Sequence, residues 1–532
     1  FSVSGTWSFD NQSGATLRKS TTTGTLGFNL PLTNAGTVEV AGGILSLDAN
    51  GGSATGLFDL AAGSTLKFNS SYSLNAGSSF SGTGALQLSN GTLTLARGTA
   101  FQPTVNFTQS GGTLTGADDF NTASGLTTTW SSGTMSGAGA TNILAGGTLT
   151  IPNTGNPTLS ARNLSNAGTV NYSPSSYLIL TGSGGTLTNL SGGLWDFQND
   201  RAFSVSGTWS FDNQSGATLR KSTTTGTLSF NLPLTNAGTV DVDGGIFSID
   251  QGGSSTGLFD LAAGSTLKFN SSYSLNAGSD FSSAGALQLS SGTLTLARGS
   301  AFQPTINFTQ TSGTLTGADD FNTASGLTTT WSSGTMSGAG ATNILAGGTL
   351  TIPNTGNPTL SARNLSNAGT VNYSPSSYLI LTGSGGTLTN LSGGLWDFQN
   401  DRAFSVSGTW SFDNQSGATL RKSTTTGTLG FNLPLTNAGT VEVAGGILSL
   451  DANGGSATGL FDLAAGSTLK FNSSYSLNAG SSFSGTGALQ LSNGTLTLAR
   501  GTAFQPTVNF TQSGGTLTGA DDFNTASGLT TT

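Results

Sequence analysis

Two adjacent carboxylates occur three times in this sequence, as Asp118-Asp119, Asp319-Asp320 and Asp521-Asp522, each within the string TGADDFN. Paired carboxylates beside a basic residue are the equipment of polysaccharide lyases and hydrolases, where one group moves a proton and the other attacks or activates water. Arg97 and the Arg18-Lys19 pair are the candidate electrophilic partners. Neighbouring residues on an extended strand point to opposite faces, so two adjacent carboxyls would not converge on one substrate. Adjacent Asp residues also suit a turn between strands, where they bond nearby backbone. The chain contains no histidine, so imidazole chemistry is excluded. The expectation is a protein that is not an enzyme and uses no cofactor.

Other chemistry-bearing patterns are thinner. Asp48-Ala49-Asn50 approaches a calcium-binding run of oxygen ligands, but the second copy replaces it with Asp250-Gln251; the expected role is a structural loop and no metal site. Asn-x-Ser/Thr occurs at Asn11, Asn69, Asn90, Asn106, Asn163, Asn171 and Asn189 in the first 202 residues, about as often as chance gives in a background so rich in Ser and Thr. The aromatic group Trp195, Phe197, Phe203, Trp209 and Phe211 would bind sugars or a neighbouring fibre if exposed. Its alternation favours an interior stack instead. The net charge is −8, from 16 basic and 24 acidic residues, and the densest basic cluster is Arg18-Lys19. Nucleic-acid binding needs clustered cations to displace counterions, and is not expected. No run of 18 apolar residues is present, so no membrane span is expected in this segment. Cysteine is absent, which excludes disulfide staples and thiolate metal sites and suits a large exported protein.

Repetition organises these residues. FSVSGTWSFDNQSGATLRKS begins at Phe1, Phe203 and Phe404, so the long periods are 202 and 201 residues. The sequence divides into copies at 1–202 and 203–403 and a partial copy at 404–532 that matches 1–129 residue for residue. The chain opens without methionine and stops in mid-copy, as a window from a longer array would. Inside each copy Gly-Thr plus an apolar residue recurs, with Thr at 92, 113 and 134, at 148 and 169, and at 186 and 208.

Short apolar-x-apolar runs fill the intervals, including Trp7/Phe9, Leu26/Phe28, Val38/Val40, Leu45/Leu47, Leu93/Leu95 and Trp195/Phe197. Period-two alternation with one apolar face marks half-buried strands, broken after three to five residues by Gly, Asn, Ser or Pro. Trp7, Phe9, Val38, Val40, Leu93, Leu95, Trp195 and Phe197 are thus the core candidates. Differences between copies keep the parity. Leu45, Leu47 and Val105 become Phe247, Ile249 and Ile306, whereas the outward Glu39, Ala41 and Ser79 become Asp241, Asp243 and Asp280.

Short strands without helices or linkers predict an all-β chain, a right-handed parallel β-helix (β-solenoid) with about ten coils of about 20 residues per long repeat. Its coils would lie ~4.8 Å apart in one continuous rod. A string of β-sandwiches is the alternative, since sandwiches also space strands closely.

The strings NAGTVEVAGGILSLD (34–48), GGTLTIPNTGN (146–156) and NLSNAGTVNY (163–172) resemble the repeats of large β-helical surface proteins of bacteria. Those are the autotransporter passenger domains and filamentous-haemagglutinin-type adhesins. The resemblance implies an exported protein at the bacterial cell surface or outside the cell. The expected function is a structural subunit of an extracellular fibre, filament or sheath, with self-association as the main partnership. An adhesin stalk with a surface carbohydrate or other ligand is the alternative, and a carbohydrate-active β-helix enzyme the second alternative.

Overall fold

The structure is a computed structural model describing residues 5–532; Phe1–Ser4, where the first copy opens, lie outside the described residues. It is all-β, a parallel β-solenoid of about 24 turns with about 21 residues per turn. Every strand pairing recorded among the described residues within a copy is parallel, as in Thr92↔Thr113 and Thr113↔Thr134, so the β-sandwich alternative is excluded. Among those residues no helix is long and apolar enough to cross a membrane. The chain forms two compact units, residues 1–267 with 278–282 and residues 268–277 with 283–532. The copy junction at Phe203 lies inside the first unit and that at Phe404 inside the second.

Within the first unit one column of strands shows how the alternation is used. Val170, Trp195, Leu219, Val240 and Phe259 lie opposite one another in successive coils, all fully buried. One residue along, Asn171, Asp196, Arg220, Asp241 and Asp260 form the outward column of the same strands. The second unit repeats the inner column as Val371, Trp396, Leu420, Val441 and Phe461. Burying each such side chain contributes roughly 1.5–3 kcal/mol.

Coil length varies, from 19 residues between Thr25 and Ile44 to 25 between Val170 and Trp195. The loops absorb the difference. This is why the Gly-Thr marker drifts: Thr186 lies opposite Ser210, not Thr208. Corners bring backbones very close. At Gly317, φ is +132° and a Cβ would sit 2.1 Å from the Leu296 carbonyl oxygen one coil earlier, which leaves glycine as the residue that fits.

Six of the eight core candidates, Val38, Val40, Leu93, Leu95, Trp195 and Phe197, are buried. Two are not. Trp7 is 67% exposed and Phe9 is only half-buried, whereas their equivalents Trp209 and Phe211 are 5% and 0% exposed. The reason is stacking order. The six-membered ring of Trp209 rests on Gly185 of the preceding coil, and this sequence holds no coil before Trp7. Leu26, at 46% exposure, is uncovered in the same way, while Leu228 is buried.

The interior is not wholly apolar. Asn166, Asn189, Asn213 and Asn236 occupy one buried column, each Nδ2 donating to the next Oδ1 at 2.8, 2.9 and 2.8 Å. Each amide also donates to a backbone carbonyl, as Asn213 does to Thr239 O at 3.0 Å. The second unit builds the same ladder from Asn367, Asn390, Asn414 and Asn437. Replacing Asn213 with Ala would strand Asn236 Oδ1 and the Thr239 carbonyl without their donor, at a cost of about 2 kcal/mol. Hydrogen exchange at Gly185–Asn189 and Leu234–Asn236 should accelerate about 30-fold in that variant, with distant coils unaffected.

Candidate functional site

The carboxylate pair of each copy is divided between two neighbouring coils. Asp118 Oδ2 accepts the backbone N–H of Arg97 in the coil before, and Asp119 Oδ1 accepts that of Ala140 in the coil after at 2.7 Å. Asp119 Oδ2 also takes Asn142 Nδ2 at 3.2 Å. In the second unit Asp319 bonds Arg298 N while Asp320 bonds Ala341 N at 2.7 Å, and Asp521 bonds Arg500 N. Two carboxyls working on one substrate must face it together. Here each carboxyl bonds the backbone of a different coil.

The cations are committed as well. Arg97 donates to Ala100 O at 2.9 Å and Ser78 O at 2.8 Å, and its guanidinium lies 5.6 Å from the Phe101 ring centre. A cation that the sequence reading did not single out bonds the backbone of the pair. Arg162 is buried and donates to Thr141 Oγ1 at 3.0 Å and to the Ser136, Ala140 and Asp118 carbonyls at 2.9, 2.7 and 3.2 Å. Burial brings its guanidinium down to about 10, against the opposing pull of Asp119 and Asp118.

Arg18 and Lys19 separate by strand parity. Arg18 faces outward and pairs with Glu39 at 3.1 Å. Lys19 points inward, where Nζ donates to the Thr21 and Gly42 carbonyls at 2.7 and 2.6 Å and to Thr21 Oγ1 at 3.0 Å. In the second copy the same cage gains a carboxylate, with Lys221 Nζ 3.2 Å from Asp200 Oδ1. A buried ammonium is tolerated because its protons all find oxygen.

The remaining candidates are likewise used between coils. Asp48 Oδ1 accepts Ser46 Oγ and Asn69 Nδ2, and Asn50 Oδ1 accepts Ser70 Oγ and Ser71 N, so these oxygens bond within the loop and to the next coil. Among the described residues no group of three or more Asp and Glu could hold a metal ion. Of the Asn-x-Ser/Thr positions, Asn11 and Asn189 are buried in the asparagine ladders. Asn106 and Asn163 accept the backbone N–H of Thr127 and Thr186 in the next coil. Trp195, Phe197, Phe203, Trp209 and Phe211 are all buried, with Trp195 packed edge-on to Phe211 at 5.1 Å.

No family model and no curated protein matches this chain. One solved structure to which it is similar is the TibC-catalyzed hyper-glycosylated TibA55-350 fragment, at 12% identity over 98% of this chain and 99% of that one, with a TM-score of 0.10. At that score the likeness adds nothing to what the strand register already shows.

The copies differ in the carboxylates around one outward arginine. Arg421 reaches Glu442 at 2.9 Å, as Arg18 reaches Glu39. In the second copy Asp241 is one methylene shorter than Glu, and Arg220 instead approaches Asp243 at 3.4 Å and Asp196 at 3.7 Å. The Asp241 carboxyl is accordingly raised above its ordinary 3.8, first by burial, then by Asp243, with Arg220 opposing and Asp260 and Asp196 adding to it. A carboxyl raised on folding supports the folded state when protonated, and that support is lost as pH climbs through its folded value. Asp241→Asn should therefore raise thermal stability at pH 7 and leave it unchanged below about pH 3.5, as read from melting curves across that interval.

Proposed function

We propose that this chain is a structural segment of an extracellular fibre, filament or sheath built from tandem β-solenoid repeats, and that it is not an enzyme. One observation carries the reading. The side chains best suited to chemistry, namely the Asp pairs, Arg97, Arg162 and Lys19, are bonded to the coil before or after their own or to their own loop. Residues spent in this way hold a scaffold together and leave little to bind or turn over a substrate. Near-identical copies then offer the same outward residues again and again, which suits self-association better than a single specific site. The repeat strings that resemble bacterial surface proteins support a location at the bacterial cell surface or beyond it.

A second reading, an adhesin stalk, is favoured by one surface feature. Tyr177 is 39% exposed with the Arg201 guanidinium 6.0 Å from its ring centre, and Tyr378 with Arg402 repeats the arrangement. An exposed aromatic beside a cation is a fitting contact for a surface carbohydrate. Electron microscopy of the concentrated, purified chain separates the two. Periodic filaments are the expected result. Single particles at every concentration, together with glycan binding that Tyr177→Ala plus Tyr378→Ala abolishes, would favour the stalk and overturn the fibre.

A further inference from the structure

Asparagine followed by glycine occurs four times, at Asn50-Gly51, Asn90-Gly91, Asn453-Gly454 and Asn493-Gly494. The second copy has neither pair, since Gln251-Gly252 and Ser291-Gly292 stand in their places. Glycine matters to the asparagine before it because no Cβ shields its backbone nitrogen. That nitrogen is a nucleophile tethered to the side-chain amide at a length that closes a five-membered ring. All four asparagines are exposed between strands, and the fold treats them in two ways.

At Asn50 the side chain is held by another coil. Its Oδ1 accepts Ser70 Oγ at 2.6 Å and Ser71 N at 3.0 Å, while Gly51 N donates to Ser71 O at 3.3 Å. Asn453 repeats the clasp with Ser473 Oγ and Ser474 N at 2.6 and 3.0 Å. At Asn90 the neighbouring coil offers no such hold. It meets the Ser89 and Asn90 backbone with Gly111 and Gly112, which have no side chain to reach the amide. Asn90 Oδ1 instead accepts Gly91 N at 2.9 Å, so the nitrogen already lies against the carbonyl it would attack. Asn493 is stacked in the same way, under Gly514 and Gly515.

We propose that Asn90 and Asn493 are sites of spontaneous deamidation, with water as the only co-reactant, and that Asn50 and Asn453 are protected from it. Gly91 N gives its proton to water or hydroxide and attacks Asn90 Cγ. The Cγ–Nδ2 bond breaks, Nδ2 leaves as ammonia with a proton from solvent, and a succinimide remains. Water then cleaves one of the two imide C–N bonds. Cleavage at Cγ leaves aspartate; cleavage at the main-chain carbonyl leaves isoaspartate, whose backbone is one carbon longer. Either product carries a carboxylate where a neutral amide stood. The longer backbone has little room, because a Cβ on Gly91 would already lie 2.4 Å from Ser70 C. Gly91 O accepts Thr113 N at 2.8 Å, and Thr92 N donates to Ser71 Oγ at 3.2 Å. An added carbon displaces both bonds and loosens the strand Thr92–Ala96. The third copy shares these bonds, at Gly494 O with Thr516 N and Thr495 N with Ser474 Oγ, and the second copy lacks the asparagine that would break them.

The test is peptide mapping by mass spectrometry of the folded full chain, aged at mildly alkaline pH and sampled over time. The expected result is the amide-to-acid mass gain at Asn90 and Asn493 at least ~10-fold faster than at Asn50 and Asn453, because only the first two hold the nitrogen against its target. Ageing in urea should bring the four rates together, since each asparagine precedes glycine. Ser70→Ala removes half of the clasp and should speed Asn50 while leaving Asn90 unchanged. Hydrogen exchange of the aged chain should quicken at Thr92–Ala96 and stay unchanged at its second-copy equivalent, Thr293–Ala297. Equal rates at Asn50 and Asn90 in the folded chain overturn the proposal. So does an Asn90 that keeps its amide when folded and loses it in urea. None of these outcomes bears on filament formation, so the fibre reading is tested separately.

Discussion

A parallel coil lies ~4.8 Å from the next, and this spacing governs what any inward side chain can be. An inward residue meets its own equivalent, one coil away, on both sides. Apolar residues satisfy the condition by packing, as in the column from Val170 to Phe259. Polar residues satisfy it only where donor and acceptor recur at the same spacing. Asparagine carries one of each, so its amide passes a hydrogen bond from coil to coil and has a second N–H left for a carbonyl. Lysine and arginine have no acceptor and cannot form such a column, and each is instead surrounded by backbone carbonyls from the loops. Buried polar groups met in this way fix register, because a slipped coil would leave several of them unpaired.

The same spacing explains why the chemistry-bearing residues are spent on structure. Two adjacent carboxylates suit the gap between coils, one reaching back to Arg97 N and the other forward to Ala140 N. Where sequence drift disturbs an outward column, as Asp241 and Asp243 do in the second copy, the effect is a local change of charge with the backbone pairing intact. The fold tolerates variation on its outer face and resists it within. The inward replacements Leu45 to Phe247 and Leu47 to Ile249 stay apolar and buried.

Much of this was legible from alternation alone. The strands, their parity, the direction of Glu39 and Asp241, and the buried aromatic group all follow from period two. Lys19 and the asparagines were legible by the same rule and were read by residue type instead. In WSFDN, Trp209 and Phe211 point inward, so Asn213 must too; in TLRK, Leu219 points inward and therefore Lys221 does. Charge and turn propensity argued the other way, and burial with full hydrogen bonding overrode them. Two features left no local signal. Trp7 is exposed because of what lies one coil away, and Arg162 meets Asp118 across 44 residues. Both depend on which coils are neighbours, and that does not show in a strand's own residues.

The account stands or falls on in-register parallel stacking, and the absence of native cysteine allows a direct measurement. Thr92 and Thr113 face each other in adjacent coils, at a Cα separation of ~5 Å that a disulfide spans, whereas Thr115 lies two residues further along. Under mild oxidation the double variant Thr92→Cys with Thr113→Cys should cross-link within one chain quantitatively, and Thr92→Cys with Thr115→Cys should stay reduced. Equal cross-linking of both variants, or none in the first, would contradict a parallel register at these coils and the structure built upon it.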